Sequence, residues 1–219
     1  MKDNVFFVSG IDTNVGKSYA TGYLAKTWNE QGVRTITQKF IQTGNVGMSE
    51  DIELHRKIMG TGLLPEDESR LTMPEIFTYP CSPHLAAEID HRPIDFDKIE
   101  KATRQLSETY DAVLLEGAGG LMVPLTRDLL TIDYVAQKNY PLIFVTSGKL
   151  GSINHTLLSL EAVTRRGIRL HTVAYNLFPE EDDDIIRRDT EAYIRDLLAK
   201  EYPETHFVIV PKLYDKGLK

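Results

Sequence analysis

Short apolar runs alternate with amphipathic stretches along most of the chain, and this alternation constrains its fold more than any other feature. The apolar runs lie at Val5–Ser9, Thr35–Lys39, Ala112–Glu116, Leu142–Thr146, Val173–Tyr175 and Phe207–Val210. Stretches with helical spacing lie at about Lys17–Gln31, Ser49–Met59, Asp95–Tyr110, Ser152–Arg166 and Asp182–Glu201. Near-continuous apolar runs are typical of strands that are buried on both faces of a parallel sheet. The sequence therefore predicts an α/β fold, with a mostly parallel, doubly wound sheet flanked by helices.

One segment, Gly60–Pro93, interrupts this alternation. It carries five prolines, and we expect a long loop that passes over the carboxyl ends of the strands, where such sheets bind ligands. No linker or internal repeat divides the chain. The length of 219 residues fits a single domain over residues 1–219.

Composition excludes several classes of function. The formal net charge is −7, which argues against a broad basic face for nucleic acid or for an anionic membrane, although a small anion pocket stays open. A single cysteine excludes an internal disulfide framework and a cysteine-based zinc site, and it fits a reducing cytosol. No apolar run is long enough for a signal segment or a membrane helix, so we expect a cytoplasmic protein.

The first predicted strand leads directly into a phosphate-binding motif. The segment Gly10–Ser18 ends in Gly-Lys-Ser and precedes a predicted helix. Glycines admit a phosphate close to the backbone, Lys17 supplies positive charge and the Ser18 hydroxyl can bind Mg²⁺. Five residues separate the glycines where four are usual, and a simple helix-capping turn is the alternative. The context of strand, loop and helix favours nucleotide binding and a P-loop NTPase type of fold.

Two carboxylates are candidates for completing a magnesium site. Glu116 ends an apolar strand, where a carboxylate is costly unless it is exposed or paired. Asp51 opens a predicted helix, and by position it is equally well an ordinary N-cap or first-turn acid. Mg²⁺ prefers oxygen ligands and often uses only one or two protein carboxylates. The glycines after Glu116 lack the third glycine of a dinucleotide fingerprint, because Met122 stands at that place, and we reject that interpretation.

Six segments in order resemble one enzyme family, the ATP-dependent dethiobiotin synthetases. They are Gly10–Ser18, Lys39–Gly44, Ser82–His84, Glu116–Gly120, Lys149–His155 and Ala174–Asn176. The resemblance extends to about Pro211 and implies a homodimeric enzyme. It implies that diaminopelargonate, CO₂ and ATP form the ureido ring of dethiobiotin, through a carbamate and a carbamic-phosphoric anhydride. That chemistry needs positioning and cations rather than a protein nucleophile.

The resemblance also assigns roles to individual residues. It implies that Lys39 and Lys17 are catalytic and that Mg²⁺ is bound by Ser18, Asp51 and Glu116. It places nucleotide contacts at Thr13, Asn14, Val15, Gly16, Lys17, Ser18, Tyr19, Asp51, Glu116, Gly117, Ala118, Gly119, Asn176 and Pro211. It places contacts to the diamine at Thr43, Leu150, Gly151, Ser152, Ile153 and Asn154. After Pro211, Asp215 and Lys216 stand where the family has an asparagine.

The remaining candidates are interpreted as structural. Cys81 has no neighbouring base in the sequence, and His55 is interpreted as a surface or packing residue because no metal-binding spacing includes it. His84 follows a predicted N-cap, Ser82, and a contact between His84 and the substrate stays open. Without the resemblance, Lys39 is equally well a solvated lysine at a strand end.

Two alternative functions stay open at this point. One is another P-loop small-molecule ligase or kinase on the same scaffold. The other is a dimeric P-loop switch ATPase. Such switches usually carry an extra lysine early in the phosphate loop, and Gly10–Val15 contains none.

Overall fold

Six parallel strands form the central sheet of the computed structural model, which describes residues 4–178 and 183–212. In spatial order they are β2 (Thr35–Lys39), β5 (Ala112–Glu116), β1 (Val5–Gly10), β6 (Leu142–Ser147), β7 (Leu170–Asn176) and β8 (His206–Val210). All pairs in this sheet are parallel, and β1 lies between β5 and β6. The predicted parallel α/β fold is confirmed. Because β1 is central, the loop that follows it opens at the middle of the carboxyl edge.

Eight helices occur in the described residues. They are α1 (Lys17–Glu30), α2 (Glu50–Met59), α3 (Pro65–Glu68), α4 (Pro83–Ile89), α5 (Phe96–Thr109), α6 (Thr131–Lys138), α7 (Ser152–Arg165) and α8 (Asp184–Glu201). The five predicted helices correspond to α1, α2, α5, α7 and α8, with ends that differ by one or two residues. Asp182, where the last was predicted to begin, lies outside the described residues. Helix α6 was not predicted, because its eight residues span only about two turns.

The two faces of the sheet bury different helices. Side chains alternate along β5, so that Val113 and Leu115 face the larger apolar core while Leu114 faces the smaller one. Helices α5 to α8 cover the larger core, and α1 covers the smaller one, with α2 packed against α1 and β2. Glu116 has the parity of Leu114. It therefore ends its strand on the face where α1 and α2 begin.

The segment Gly60–Pro93 contains more structure than the expected loop. It holds α3, α4 and the short strand β4 (Ile76–Phe77), which pairs in parallel with β3 (Gln42–Thr43). Ser82 and Pro83 occupy the predicted N-cap and first position of α4. Residues 80–83 reach the carboxyl edge of the large sheet, as expected. Among the described residues, no helix is both long and apolar enough to cross a membrane.

Candidate functional site

The phosphate loop lies between β1 and α1, and its own backbone carbonyl groups hold the Lys17 amine in place. Gly16 has φ +82°, and a Cβ there would lie 2.3 Å from the Asn176 amide nitrogen, so only glycine fits without displacing Asn176. Lys17 Nζ donates to the carbonyl oxygens of Asp12 and Thr13, at 2.7 and 3.2 Å. Burial lowers the pKa of Lys17 to about 8. The loop therefore presents a cation that a phosphate would help to keep protonated.

Four side chains from four elements converge beside this loop. Glu116 Oε1 lies 2.9 Å from Ser18 Oγ and 2.8 Å from Lys39 Nζ. Ser18 Oγ lies 2.6 Å from Asp51 Oδ1, and Lys39 also forms an ion pair with Asp51. Lys39 and Glu116 are buried, so the interpretation of Lys39 as a solvated strand-end lysine is wrong. The cluster brings together all three predicted metal ligands and one predicted catalytic lysine.

Charge compensation keeps this buried cluster ionised. Burial alone would raise the pKa of Glu116, but Lys39 and His55 outweigh that effect and hold it well below its ordinary value. Burial alone would lower the pKa of Lys39, but Glu116 and Asp51 outweigh it and raise the value. At neutral pH, Lys39 is therefore an ammonium held between two carboxylates.

Asp51 serves the cluster rather than the end of its helix. Ser49 is the N-cap of α2, and its hydroxyl accepts a hydrogen bond from the Ile52 amide at 3.2 Å. Asp51 stands in the first turn with its carboxylate on Lys39 and Ser18. The alternative of Asp51 as an N-cap is wrong, because Ser49 takes that place, whereas the alternative of a first-turn acid is confirmed.

The donor set fits Mg²⁺. The hydroxyl of Ser18 lies within hydrogen-bond distance of both carboxylates, Asp51 and Glu116, and all three side chains are hard oxygen donors. In residues 4–178 and 183–212, no three His, Cys, Asp or Glu side chains group as a metal site. Two carboxylates beside a phosphate loop suit a cation that binds largely through phosphate oxygens and water.

Sequence reasoning missed a residue behind the cluster, His55. It is fully buried, and its Nε2 lies 2.7 Å from Glu116 Oε2. It follows Asp51 by four positions, so helical periodicity places both on one face of α2. This spacing was the available signal. The interpretation as a surface or packing residue omitted the polar contact with Glu116.

A cleft of about 550 Å³ opens in front of these residues. The predicted site residues that line it are Thr13, Asn14, Lys17, Ser18, Lys39, Thr43, Asp51, Glu116, Ala118 and Gly119. Residues 80–83 also line this cleft. Ser82 Oγ lies 3.0 Å from His84 Nδ1, which places His84 next to the lining without making it part of it.

A second group of predicted nucleotide residues lies beside the phosphate loop rather than in the cleft. Asn176 is buried at the end of β7, where its Nδ2 donates to the Val15 carbonyl oxygen at 2.9 Å. The Tyr19 ring lies 5.9 Å from the Phe178 ring, and the backbone of Asn176 pairs with Val210, the residue before Pro211. Asp215 and Lys216 lie outside the described residues. Asn176 thus braces the loop, next to residues that could contact a base.

The predicted substrate residues of the α7 start do not join the cleft in one chain. Gly151, with φ +95°, is the N-cap of α7, and Ser152 Oγ lies 3.1 Å from Ser147 Oγ. None of Leu150, Gly151, Ser152, Ile153 and Asn154 lines the cleft. Leu150 is 73% exposed. Within one chain, this helix start therefore lies outside the lining of the cleft.

Comparisons with known proteins identify the family to which the chain belongs. The family described as "AAA domain" matches residues 4–215. A Pasteurella multocida protein named ATP-dependent dethiobiotin synthetase BioD 2 is 52% identical over 94% of this chain and 96% of its own length. A Haemophilus influenzae protein of the same name is 56% identical over 84% and 96%. A Chlorobaculum tepidum dethiobiotin synthetase is 52% identical over 87% and 80%.

Solved structures share the fold at low sequence identity. The Aquifex aeolicus MinC:MinD cell division complex matches with TM-score 0.53 and 13% identity, over 93% of this chain and 79% of that one. A ParA family ATPase from Chlorobium tepidum matches with TM-score 0.51 and 11% identity, over 94% and 83%. These likenesses concern the fold alone.

Proposed function

Because the chain belongs to the ATP-dependent dethiobiotin synthetase family, we propose that it closes the ureido ring of dethiobiotin, using 7,8-diaminopelargonate, CO₂ and ATP. It is an ATP-dependent ligase of biotin biosynthesis. The observation that carries the proposal is the convergence of Lys17, Lys39, Ser18, Asp51 and Glu116 at one cleft. Two lysines and a set of oxygen donors suit phosphoryl transfer to a carbamate.

The reaction divides into three balanced steps. One amine of the diamine adds to CO₂ and loses a proton, which gives a carbamate. A carbamate oxygen then takes the γ-phosphoryl group of ATP, and ADP leaves. The second amine attacks the carbamoyl carbon, phosphate leaves, and the ring closes with loss of a proton. Since no step needs a protein nucleophile, the residues act through position and charge.

The two lysines have different parts in this scheme. Lys17, within the phosphate loop, would neutralise the terminal phosphates of ATP. Lys39, at the end of β2, would stabilise negative charge on the carbamate and on the transferring phosphoryl group. Its place between Asp51 and Glu116 fixes its amine before any substrate binds, and such preorganisation is what makes an electrostatic contact effective in catalysis.

Mg²⁺ would be held by Ser18, Asp51 and Glu116 together with phosphate oxygens. The bound cation would neutralise phosphate charge during phosphoryl transfer. These three side chains would also orient the triphosphate relative to Lys39. Thr13, Asn14, Val15, Gly16, Gly117, Ala118 and Gly119 would contact the phosphates, and Tyr19, Asn176 and Pro211 would lie beside the base.

We also propose that the enzyme is a homodimer and works in the cytoplasm, where ATP is available. Thr43 lines the cleft and would contact the diamine directly. The start of α7, from Leu150 to Asn154, would contact the carboxylate of the diamine that is bound in the site of a second copy. Exposed apolar side chains on this surface, Leu150, Leu158 and Met122, support burial against such a copy.

Mass spectrometry of the product tests the function. Diaminopelargonate, ¹³C-bicarbonate and Mg-ATP should give ¹³C-labelled dethiobiotin, with one ADP released for each ring formed. Omission of the diamine and the Lys17→Ala variant serve as controls, and neither should form product. ADP release that is independent of the diamine, with no labelled ring, would instead support a switch ATPase.

A further inference from the structure

A chain of buried polar contacts lies behind Glu116, on the side away from the cleft. His55 Nε2 contacts Glu116 Oε2 at 2.7 Å, and His55 Nδ1 lies 3.0 Å from the hydroxyl of Thr37 on β2. Arg56 Nη1 donates to the same hydroxyl at 2.8 Å. Arg56 in turn grips both carboxylate oxygens of Asp67, each at 2.8 Å. The chain runs without a gap from α3 to the ion cluster.

From this geometry we propose that His55 is a positioning residue, which fixes the rotation of the Glu116 carboxylate and thereby aims Oε1 at Ser18 and the metal. The inference rests on the proposed function, because it assumes that Glu116 binds Mg²⁺. Oε1 is already shared by Ser18 and Lys39, whereas Oε2 receives His55. While Oε2 is hydrogen-bonded to His55, the carboxylate of Glu116 cannot rotate so as to turn Oε1 away from Ser18.

The ring of His55 is itself held in place. Its hydrogen bonds are satisfied when Nε2–H donates to Glu116 and Nδ1 accepts the Thr37 hydroxyl, which already accepts from Arg56. Asp67 anchors Arg56 and also accepts a hydrogen bond from the Thr72 hydroxyl at 2.6 Å. Outer partners of this kind orient metal ligands, and their loss typically costs roughly 10- to 100-fold in metal affinity or activity.

Helix α2 carries both Asp51 and His55, and it therefore contacts the ion cluster at two points. Asp51 contacts the cluster from the first turn, and His55 contacts Glu116 from the next turn. Any rotation of α2 about its axis would therefore move both contacts together. Both ring nitrogens of this buried histidine have polar partners, and one of those partners is the carboxylate of Glu116.

The test compares three variants of the 219-residue chain. His55→Leu removes both ring hydrogen bonds, whereas His55→Gln keeps an amide that can donate to Glu116. Thr103→Val is the matched control, because its hydroxyl makes an equally buried hydrogen bond, 2.8 Å long, to Gln38 on the opposite face of the same strand, β2. Each variant is assayed for unfolding temperature, for turnover against Mg²⁺ concentration, and for ATP affinity by calorimetry with Mg²⁺ or with EDTA.

We expect His55→Leu to raise the Mg²⁺ concentration for half-maximal turnover roughly 10-fold and to lower kcat by roughly 10- to 100-fold. The gain in ATP affinity on adding Mg²⁺ should shrink by a similar factor, while ATP affinity in EDTA changes little. His55→Gln should recover most of both effects. Thr103→Val should lower the unfolding temperature and leave the Mg²⁺ response unchanged.

Other results would overturn the proposal. A folded His55→Leu protein with the wild-type Mg²⁺ response would show that His55 is a packing residue. The same conclusion would follow if His55→Gln and Thr103→Val lost as much kcat and Mg²⁺ response as His55→Leu. If His55→Leu does not fold, Thr37→Val removes the hydroxyl that orients the ring, and an unchanged Mg²⁺ response there counts equally against the idea. Failure of the wild-type enzyme to form the ring would reject the proposed function. The ATP affinities measured by calorimetry with Mg²⁺ and with EDTA would still test the role of His55.

Discussion

At the scale of single residues, the ion cluster makes Lys39 the most informative side chain to change. Lys39→Gln keeps much of the length and polarity and removes the positive charge. We expect a fall of roughly 10²–10³ in kcat, about 3–4 kcal/mol, because in the proposed mechanism Lys39 stabilises the negative charge that grows on the carbamate and the phosphoryl group in the transition state. ATP affinity should stay within a few-fold. The measurements are ¹³C-labelled product formed per unit time at saturating substrates, and ATP binding by calorimetry.

A lysine in a different setting provides the control for this prediction. Lys98 is about half exposed, and its amine lies 3.3 Å from a Glu75 oxygen, outside the cleft. Lys98→Gln should leave kcat unchanged, since exposed ion pairs contribute little. A folded Lys39→Gln enzyme with wild-type kcat would show that Lys39 is a bystander.

At the scale of elements, the packing of α1 on α2 controls where Asp51 and His55 lie. Gly22 on α1 is the contact point, since a Cβ there would lie 3.1 Å from Ile58 Cβ and 3.2 Å from His55 Cα. Alanine favours a helix over glycine by about 1 kcal/mol, whereas overpacking typically costs about 1–3 kcal/mol. We expect Gly22→Ala to lower the unfolding free energy by about 1 kcal/mol and also to lower kcat.

Denaturant unfolding and steady-state kinetics together check this expectation. Thr27→Ala, in the same helix, is the control for helix propensity and should leave kcat unchanged, because the Thr27 hydroxyl donates within α1, to the Tyr23 carbonyl oxygen. A Gly22→Ala protein that gains stability and retains its kcat would mean that α2 yields to the added methyl without disturbing the cluster.

Another element, β7, carries a pH-sensitive contact far along the strand from its carboxyl end. The His171 ring lies 4.8 Å from the Phe6 ring and 5.2 Å from the His206 ring. Burial, together with the charges of His206 and Arg169, lowers the pKa of His171. The unfolded chain therefore binds the proton more readily, and the contribution of His171 to stability is lost as pH falls below the ordinary value of about 6.5.

The replacement His171→Phe keeps an aromatic ring and removes this titration. The unfolding temperature of the variant should fall less between pH 7.5 and pH 5 than that of the wild-type protein. Exposed His155 provides the control, and His155→Gln should follow the wild-type pH dependence. If the unfolding temperatures of wild type and His171→Phe fall in parallel with pH, His171 does not contribute to the acid sensitivity of the fold.

At the scale of the whole molecule, the exposed apolar surface near α7 predicts a dimer. Leu158 and Met122 line one shallow cavity of about 470 Å³. Leu158→Asp would place a charge where the proposed interface buries an apolar side chain, so we expect this variant to elute as a monomer while the wild type has twice the chain mass. Light scattering after size-exclusion chromatography measures the mass. Ile185→Asp, at an exposed apolar residue of α8, should stay dimeric.

Mixed dimers test whether the two copies share a site. Lys39→Gln and Asn154→Ala should each be nearly inactive alone, because each removes one contribution to every site. After random mixing, half of the dimers should be hybrids with one intact site, and about a quarter of the activity should return. No recovery from fully exchanged subunits would place Asn154 outside the partner's site.

Several features of this protein follow from local sequence. The bounds of β2 and β5 match their predicted ranges, because three of the five residues in β2 are β-branched and four of the five in β5 are apolar, a composition that favours buried strands of a parallel sheet. The phosphate loop was equally predictable, since its glycines, Lys17 and Ser18 act within one continuous segment. Helices α2 and α5 begin one residue after their predicted starts, at the N-caps Ser49 and Asp95, because capping depends on the next three residues.

The tertiary structure decided the contacts between distant segments. Lys39 and Glu116 are 77 positions apart, and only the adjacency of β2 and β5 in the sheet brings them to 2.8 Å. His55 shares a face with Asp51 by periodicity, but the rotation of α2 on the sheet decides whether that face meets Glu116. The physical reason is that a local pattern sets which side of an element is buried, whereas the charges it meets there depend on strand order and packing.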